Sequence, residues 1–272
     1  MQLAQKLRRL EESLKSLPGA IVAYSGGADS ALLAEFAHRV LGEESLAVTA
    51  DSPSLPRREL AAAVELAARR GWRHVVIRTS ELEDERYASN PRDRCYFCKT
   101  ALFEQLVPMA RESGVPILLG TNTDDLSDWR PGAKAATERG SLSPLVEAGL
   151  SKADVRETSL RFGLPTASKP AAACLASRFA YGVRVTEVGL GRVEAAEDFL
   201  LAKGFEVVRV RDLGDERTRI EVGSDEVERL QSMTDEVRTF LENLGFREVL
   251  IDEKGYRRGA LNHSVVVTIG RS

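Results

Sequence analysis

The stretch from Ile21 to Ser30 constrains the fold more than any other part of this chain. Apolar and aromatic residues run from Ile21 to Tyr24 and lead into Ser-Gly-Gly-Ala-Asp-Ser, and a helical pattern rich in alanine and leucine follows as far as Val40. This order is typical of a strand, a tight glycine turn and a helix. The first N–H groups of a helix have no intrahelical partner and lie at its positive end, so the turn predicts a seat for phosphate.

The residues of the turn also indicate which phosphate ligand it takes. The stretch lacks the lysine of GxxxxGK[ST], so it is not a Walker A loop. It resembles instead the PP-loop of the N-type ATP pyrophosphatases, which cleave ATP between the α and β phosphates and adenylate an oxygen of the substrate. The resemblance implies that Asp29 holds Mg²⁺ on the polyphosphate. The residues implied in ATP binding are Ser25, Gly26, Gly27, Asp29 and Ser30.

Strand-like and helical runs alternate through the first 170 residues. Strands are predicted at 45–50, 74–79 and 116–120, and helices at 58–70, 98–113 and 152–162. Alternation of this kind predicts an α/β fold, a parallel sheet with helices on both faces. Ligands of such sheets bind beyond the carboxyl ends of the strands. Asn122 follows the fourth strand and is therefore expected to bind ATP, and Asp124 or Asp125 is a candidate second ligand of Mg²⁺.

The pattern changes after Thr186. Helix 186–203, strands 205–211 and 217–222, helix 224–244 and strand 247–252 follow in that order, which predicts a small C-terminal α+β domain. We therefore expect a PP-loop ATP pyrophosphatase domain at 1–169 and a substrate-binding or oligomerisation domain at 170–272. The segment 121–150 is long and rich in turn residues, which predicts a functional loop.

Composition excludes several classes of protein. With 43% apolar and 29% charged residues the chain reads as soluble and globular. The net charge of −3 gives no basic field, so nucleic acid is not the expected partner. No apolar run approaches the roughly 20 residues that span a bilayer, and the N-terminal stretch is amphipathic rather than a signal peptide. We expect a cytoplasmic protein with no membrane partner.

The chain has three cysteines, an odd number, and a reducing compartment disfavours disulfides. Cys95 and Cys98 form a CxxC pair and Cys174 stands alone. From spacing alone, three interpretations remain open. They are a redox disulfide, a zinc site that needs a fourth ligand, and an iron–sulfur cluster held by three cysteines with one iron left open.

Four segments together resemble the LarE family over nearly the whole chain. LarE proteins are ATP-dependent sulfur insertases that make the nickel-pincer nucleotide cofactor of lactate racemase. The matching segments are Ser25-Gly26-Gly27-Ala28-Asp29-Ser30, Asp128-Trp129-Arg130-Pro131-Gly132, Cys174-Leu175-Ala176-Ser177-Arg178-Phe179 and Val208-Arg209-Val210-Arg211.

The resemblance implies a reaction and a cofactor. The reaction is adenylation of a carboxylate of pyridinium-3,5-dicarboxylate mononucleotide and its conversion to a thiocarboxylate, with release of AMP and pyrophosphate. Cys174 matches the sulfur-transfer site, and Asp29 and Cys174 are the implied catalytic residues. The presence of Cys95 and Cys98 is similar to the members that bind a 4Fe–4S cluster carrying an extra sulfide. Destruction of Cys174 as a sulfur donor is therefore not expected here.

The resemblance also assigns the charged residues of the C-terminal half. Arg178, Arg209 and Arg211 are implied in binding the phosphate of the substrate, and guanidinium groups suit bidentate phosphate contacts. Without the resemblance, Arg209 and Arg211 read equally as a solvated charged stripe. Glu197 and Glu221 match carboxylates that bind a divalent metal at a subunit interface, although ordinary surface glutamates are an open alternative.

Two rival functions remain from the residues themselves. A tRNA thiolase of the PP-loop class would also carry a cluster on three cysteines, but it would need a basic face that spans many phosphates. A non-catalytic nucleotide-binding module would bind ATP without turnover. The LarE resemblance further implies homo-oligomers and a partner that supplies sulfide. Trp129 is expected either to stack on a ring or to pack.

Overall fold

A computed structural model describes residues 2–127, 131–170 and 173–257 of the chain. The predictions that involve Asp128, Trp129 and Arg130 fall outside these residues. The chain divides into two compact units, one formed by Met1–Tyr87 with Pro91–Cys174 and the other by Ala88–Asn90 with Leu175–Ser272. Each unit has its own sheet, and each is described separately below.

The first unit contains a parallel sheet whose strands are β1 (Ala20–Ala23), β2 (Ser45–Asp51), β3 (His74–Arg78) and β4 (Ile117–Leu119). Its helices are α1 (Leu3–Lys15), α2 (Ala28–Leu41), α3 (Arg57–Arg70), α4 (Glu85–Ala88), α5 (Arg94–Ser113), α6 (Pro131–Glu138), α7 (Pro144–Glu147) and α8 (Lys152–Arg161). Ser151 caps α8 by accepting a hydrogen bond from the Asp154 N–H.

The strand order of this sheet is β3-β2-β1-β4, and every neighbouring pair is parallel. From β1 the chain steps outward through β2 to β3 and then returns to place β4 on the other side of β1. The sheet therefore has its topological switch point between β1 and β4. Ligands of open α/β sheets bind at the carboxyl side of such a point.

Side chains that alternate along the central strands divide the core between the two faces of the sheet. Val22 and Leu118 pack in one cluster with residues of α1, α2 and α3. Ile21 and Ile117 pack in the other, against Phe103 of α5. Full burial of one such side chain contributes about 1.5–3 kcal/mol. The predicted α/β fold, with helices on both faces of a parallel sheet, is confirmed.

Two local predictions for this unit are wrong. The helix expected from Cys98 begins at Arg94, so the whole CxxC pair lies in its first turns. The segment 121–150, predicted as a loop, includes the short helices α6 and α7. The predicted third strand is present as β3, an edge strand on which Val75 and Val76 are exposed. Pairing along one side only leaves an edge strand partly in water.

The second unit contains β5 (Val208–Gly214), β6 (Arg217–Val222) and β7 (Glu248–Ile251) with α9 (Glu187–Ala202), α10 (Val227–Ser232) and α11 (Thr234–Asn243). β5 pairs antiparallel with β6, and β6 pairs parallel with β7. Ala88–Asn90 belong to this unit because the Val185 N–H donates to the Ala88 carbonyl at 2.8 Å and the Asn90 amide donates to the Ala180 carbonyl at 2.7 Å.

The helix predicted over 224–244 is interrupted at Met233. The Thr234 hydroxyl donates to the Gln231 carbonyl at 2.6 Å, and the Ser232 hydroxyl donates to the Arg229 carbonyl at 2.7 Å. Hydroxyl side chains that bond nearby carbonyls compete with helical hydrogen bonds, which accounts for the break. Among the described residues, no helix has the length and apolar character needed to cross a membrane.

A glycine at the end of β4 lets the sheet and α2 come together. A Cβ atom on Gly120 would lie 2.6 Å from the Ser30 nitrogen and 2.8 Å from the Ser30 Cα. Both are backbone atoms, so no side-chain rotation could relieve the contact. The first turn of α2 can approach the end of β4 only because residue 120 has no side chain.

We expect Gly120→Ala to destabilise the protein by at least about 1–3 kcal/mol, because the added methyl group overpacks a backbone contact. Urea unfolding followed by circular dichroism measures the change. Gly191→Ala is the control: Gly191 is exposed in α9 and a Cβ there would meet nothing within 4 Å, so the helix should gain up to about 1 kcal/mol. Equal stability of the two variants would contradict this account of Gly120.

Candidate functional site

The turn between β1 and α2 offers backbone donors that no protein group accepts. Gly26 adopts φ +73°, a conformation that glycine enters at little cost. Gly27 is the N-cap residue of α2 and makes no side-chain cap. Among the described residues, no carbonyl or side chain accepts a hydrogen bond from the N–H of Gly27 or Ala28. The turn therefore has the free donors, at the positive end of a helix, that an anion seat requires.

The two serines of the turn bond to each other. The Ser25 N–H donates to the Ser30 hydroxyl oxygen at 3.1 Å, and the two hydroxyl oxygens are also 3.1 Å apart. The Ser30 hydroxyl lies 3.2 Å from the Gly27 carbonyl, to which it can donate. These contacts brace the turn, and the predicted contacts of both serines with ATP stay predictions.

Asp29 meets Asn122 where α2 begins beside the end of β4. The Asn122 amide donates to Asp29 Oδ1 at 2.9 Å, so the structure brings two of the predicted site residues together across the switch point. Burial raises the pKa of Asp29, while the bond from Asn122 lowers it, nearby Asp125 raises it and Lys152 lowers it. A carboxylate in such a place gains from a cation, which would favour its ionised form.

Asp124 and Asp125 hold the loop that carries Asn122. The Asn122 N–H donates to the Asp125 carboxylate at 3.1 Å, and the Asp124 N–H donates to the Asn122 side-chain oxygen at 2.9 Å. These bonds orient the Asn122 amide group toward Asp29. A role for either aspartate as a ligand of Mg²⁺ stays a prediction.

The three cysteines of the chain lie close together in the first unit. Burial raises the pKa of Cys95, and the charge of Cys174 raises it further. Burial also raises the pKa of Cys98, followed by the charges of Glu81, Cys174 and Cys95. Charge on the neighbouring thiols thus disfavours ionisation of Cys95 and of Cys98. Cys95 is nevertheless exposed, so solvent moderates the effect at that residue.

No disulfide joins any two of the three cysteines. Within the described ranges, no group of three or more His, Cys, Asp or Glu side chains could hold a metal ion. The thiols therefore influence one another electrostatically without converging on a single point. The iron–sulfur cluster stays a prediction at this stage.

Two buried polar side chains flank the thiols and were missed by the sequence analysis. Glu81 is only 2% exposed; its Oε1 accepts a hydrogen bond from Ser52, and its Oε2 has no partner among the described residues. The Tyr87 hydroxyl lies 2.5 Å from the Ser54 hydroxyl, and burial together with Cys174 and Cys98 raises its pKa. Nothing in the polar stretch around these two residues distinguishes buried side chains from exposed ones.

Close packing explains why one position of the motif that resembles LarE, residue 132, is a glycine. A Cβ on Gly132 would lie 3.3 Å from the Cys95 carbonyl oxygen and 3.7 Å from the Cβ of Lys99. The start of α6 therefore packs closely against α5 at the CxxC pair. Burial lowers the pKa of Lys99, which follows directly after Cys98.

In the second unit, Arg178 and Glu197 form a buried ion pair. Arg178 donates to the two carboxylate oxygens of Glu197 at 2.9 and 3.0 Å, and the side chains are 2% and 0% exposed. Glu197 also accepts the Val210 N–H at 3.1 Å. A predicted phosphate ligand and a predicted metal ligand are thus bonded to each other.

Arg211 of β5 and Glu221 of β6 form a second buried ion pair. Arg211 donates to Glu221 Oε2 at 3.1 and 2.7 Å, and Arg219 donates to the other carboxylate oxygen at 3.1 Å. Binding of a divalent metal by Glu197 or Glu221 stays a prediction. A metal ion there would compete with Arg178 and Arg211 for the same oxygens.

Arg209 differs from the other two predicted phosphate ligands. Its guanidinium donates to the adjacent Val208 carbonyl at 2.7 Å and lies 5.1 Å from the centre of the Tyr256 ring. Among the described residues it pairs with no carboxylate. Burial lowers the pKa of Arg209, and the charge of Arg178 lowers it further. A half-buried cation that lies among other arginines is a favourable place for an anion.

No protein-family model matches this chain. The chain is 43% identical to an uncharacterized protein of Synechocystis sp. over 264 residues, which are 96% of this chain and 98% of that protein. It is 36% identical to the pyridinium-3,5-bisthiocarboxylic acid mononucleotide synthase of Lactiplantibacillus plantarum over 265 residues, 97% of this chain and 96% of the synthase. It is 28% identical to an uncharacterized protein of Methanocaldococcus jannaschii over 263 residues, 94% and 99% of the two chains.

We expect Arg178→Met to destabilise the protein by about 3–5 kcal/mol, because it leaves the Glu197 carboxylate buried without its cation. The double variant Arg178→Met/Glu197→Met should recover most of that loss, since an apolar pair can replace a buried ion pair. Urea unfolding at constant pH measures both.

The matched control for this prediction is Lys203→Met. The bridge from Lys203 to Glu236 is exposed, so its loss should cost less than about 1 kcal/mol. A double variant no more stable than Arg178→Met would mean that the ion pair has no special part in the stability of the second unit.

Proposed function

This chain belongs to the family of the Lactiplantibacillus plantarum pyridinium-3,5-bisthiocarboxylic acid mononucleotide synthase, the LarE family, and we propose that it is an ATP-dependent sulfur insertase. Its substrate is pyridinium-3,5-dicarboxylate mononucleotide, of which it converts a carboxylate to a thiocarboxylate. The observation that carries the proposal is 36% identity to that synthase over 97% of the chain. The geometry of the first unit supplies groups suited to each part of the reaction.

The first step activates the carboxylate. An oxygen of a carboxylate is a poor leaving group, and adenylation replaces it with AMP, which leaves readily. The carboxylate oxygen attacks the α-phosphorus of ATP, and the bond to the β-phosphate breaks with release of pyrophosphate. The free N–H groups of Gly27 and Ala28 at the start of α2 are suited to bind the departing pyrophosphate.

Asp29 is the residue we propose to hold Mg²⁺ in this step. A bound Mg²⁺ neutralises phosphate charge as the α-phosphorus is attacked. Asn122 orients the Asp29 carboxylate by donating a hydrogen bond to its Oδ1. Burial, which raises the pKa of Asp29, supports the same role because a nearby cation would offset it.

The second step replaces AMP with sulfur, when a sulfide attacks the acyl carbon and AMP leaves. We propose that Cys95, Cys98 and Cys174 hold a 4Fe–4S cluster, which when bound would have one iron free to carry sulfide. The donor set fits, because three thiols lie near one another and a cluster binds each to a different iron, so no single point of convergence is needed. Because burial raises the pKa of Cys95 and of Cys98, cluster binding must displace the protons of these two thiols.

The phosphate of the substrate is assigned to the arginines of the second unit. Arg209 is the strongest candidate because, among the described residues, no carboxylate forms an ion pair with it. The guanidiniums of Arg178 and Arg211 are held by Glu197 and Glu221, so we propose that they fix the position of Arg209 and add positive charge. A sulfide donor and a homo-oligomeric state remain further parts of the proposal.

We expect Asp29→Ala to reduce formation of AMP and pyrophosphate from ATP by at least about 100-fold. The Mg²⁺ that neutralises the polyphosphate charge would lose its protein ligand. The assay contains the substrate nucleotide and sulfide under anaerobic conditions. Asp235→Ala, which alters an exposed aspartate in the first turn of α11, is the control and should keep full turnover. Unchanged AMP release from the Asp29 variant would contradict the proposed mechanism.

We expect Cys95→Ala, Cys98→Ala and Cys174→Ala each to lose the cluster, since every thiol supplies one of its ligands. Iron, acid-labile sulfide and the visible spectrum of anaerobically purified protein are the measurements. Tyr96→Phe, a change between the two cysteines of the CxxC pair, should keep the iron. Full iron content in all three cysteine variants would refute the cluster, and zinc in its place would identify a zinc site.

A further inference from the structure

Lys169 reaches the phosphate turn from the segment that follows α8. Its ammonium donates to the Gly26 carbonyl at 3.1 Å and pairs with the Glu59 carboxylate at 2.5 Å. The Lys169 and Glu59 side chains are 22% and 20% exposed, so the pair is partly shielded from water. No motif in the sequence points to Lys169.

The backbone of Lys169 is itself anchored. Its N–H donates to the Thr166 carbonyl at 3.1 Å, and its carbonyl accepts from Arg156 of α8 at 3.0 Å. Glu59 belongs to α3, which also packs behind the turn, because a Cβ on Gly26 would meet the Ala63 Cβ at 3.2 Å. The ammonium is therefore held by the Glu59 carboxylate and by the anchored backbone of Lys169, as well as by the turn.

The contact with the Gly26 carbonyl sets the direction of a donor. In a planar trans peptide the C=O and the following N–H point in opposite directions. A cation that holds the Gly26 carbonyl therefore turns the Gly27 N–H away from Lys169. That N–H is one of the donors for which no acceptor exists among the described residues. Glycine on both sides of this peptide bond lowers the resistance to rotation, so an external restraint has a large effect.

We propose that Lys169 is a positioning residue of the phosphate turn. Its ammonium fixes the orientation of the Gly26–Gly27 peptide so that the Gly27 N–H faces the polyphosphate before ATP binds. The role rests on the proposed function, because it requires the turn to bind ATP. Lys169 lies on the carbonyl side of the peptide and acts through it rather than on the nucleotide.

The test compares the binding of Mg-ATP and of AMP to the full chain by isothermal titration calorimetry. Lys169→Met removes the ammonium and keeps most of the stem. We expect its affinity for ATP to fall by at least about tenfold, the effect of losing one charge-assisted hydrogen bond. Its affinity for AMP should fall by less than about threefold, because AMP lacks the phosphates that the turn binds.

Three further variants separate the contacts. Lys169→Arg keeps a cation and should bind ATP within about threefold of the unsubstituted protein. Lys169→Gln is a second neutral variant for the case that Lys169→Met does not fold, and it should lose ATP affinity to the same extent. Glu59→Gln removes the ion pair and leaves the contact with Gly26, so ATP affinity should change by less than about threefold.

The possible results are distinguishable. Neutral variants that bind ATP as well as the unsubstituted protein would overturn the role of Lys169 and leave the proposed function intact. Equal losses for ATP and AMP would show a general structural role and would also overturn it. A tenfold loss in Glu59→Gln would move the effect from the Gly26 carbonyl to the ion pair. No binding of ATP by the unsubstituted protein would refute the proposed function, and the role of Lys169 with it.

Discussion

Backbone contact between the end of β4 and the first turn of α2 is the constraint on which the rest of the first unit depends. Gly120 has no side chain, so the Ser30 nitrogen can lie where a Cβ atom would otherwise be. This contact places the backbone donors of the turn at the switch point of the sheet. It also brings the amide nitrogen of Asn122 within 2.9 Å of Asp29 Oδ1. A dense interior transmits such a local requirement over several residues, because its atoms have little room to adjust. The geometry of the glycine turn is thus set as much by the packing behind it as by its own sequence.

Two buried ion pairs distinguish the interior of the second unit. Glu197 and Glu221 are fully buried, and each neutralises an arginine that would otherwise be isolated from water. Buried pairs of this kind add little net stability, because desolvation offsets most of their attraction. Their effect here is to fix positions. Glu197 and Glu221 hold the guanidiniums of Arg178 and Arg211 near Arg209, which has no carboxylate partner among the described residues. A rigid positive environment suits recognition of a phosphate better than three mobile side chains would.

Local patterns predicted the parts of the fold that depend on neighbouring residues, such as the strand, turn and helix over 21–30 and the parallel sheet around them. They did not predict features that depend on distant partners. The burial of Arg178 against Glu197 requires the fold of the second unit, and in the sequence both residues look like ordinary surface charges. The break at Met233 arises from hydroxyl bonds to nearby carbonyls that an apolar period does not register. The role of Lys169 could not be predicted from the sequence, because its partners lie far from it along the chain.

The anchored ammonium of Lys169 also limits how far Cys174 can move. Only four residues separate the two, and a fully extended chain of that length spans at most about 18 Å. Because the Lys169 side chain bonds to the Gly26 carbonyl, Cys174 must stay within this distance of a residue that is fixed at the glycine turn. The proposed sulfur site is therefore confined to the neighbourhood of the proposed ATP site, whatever path the intervening residues take.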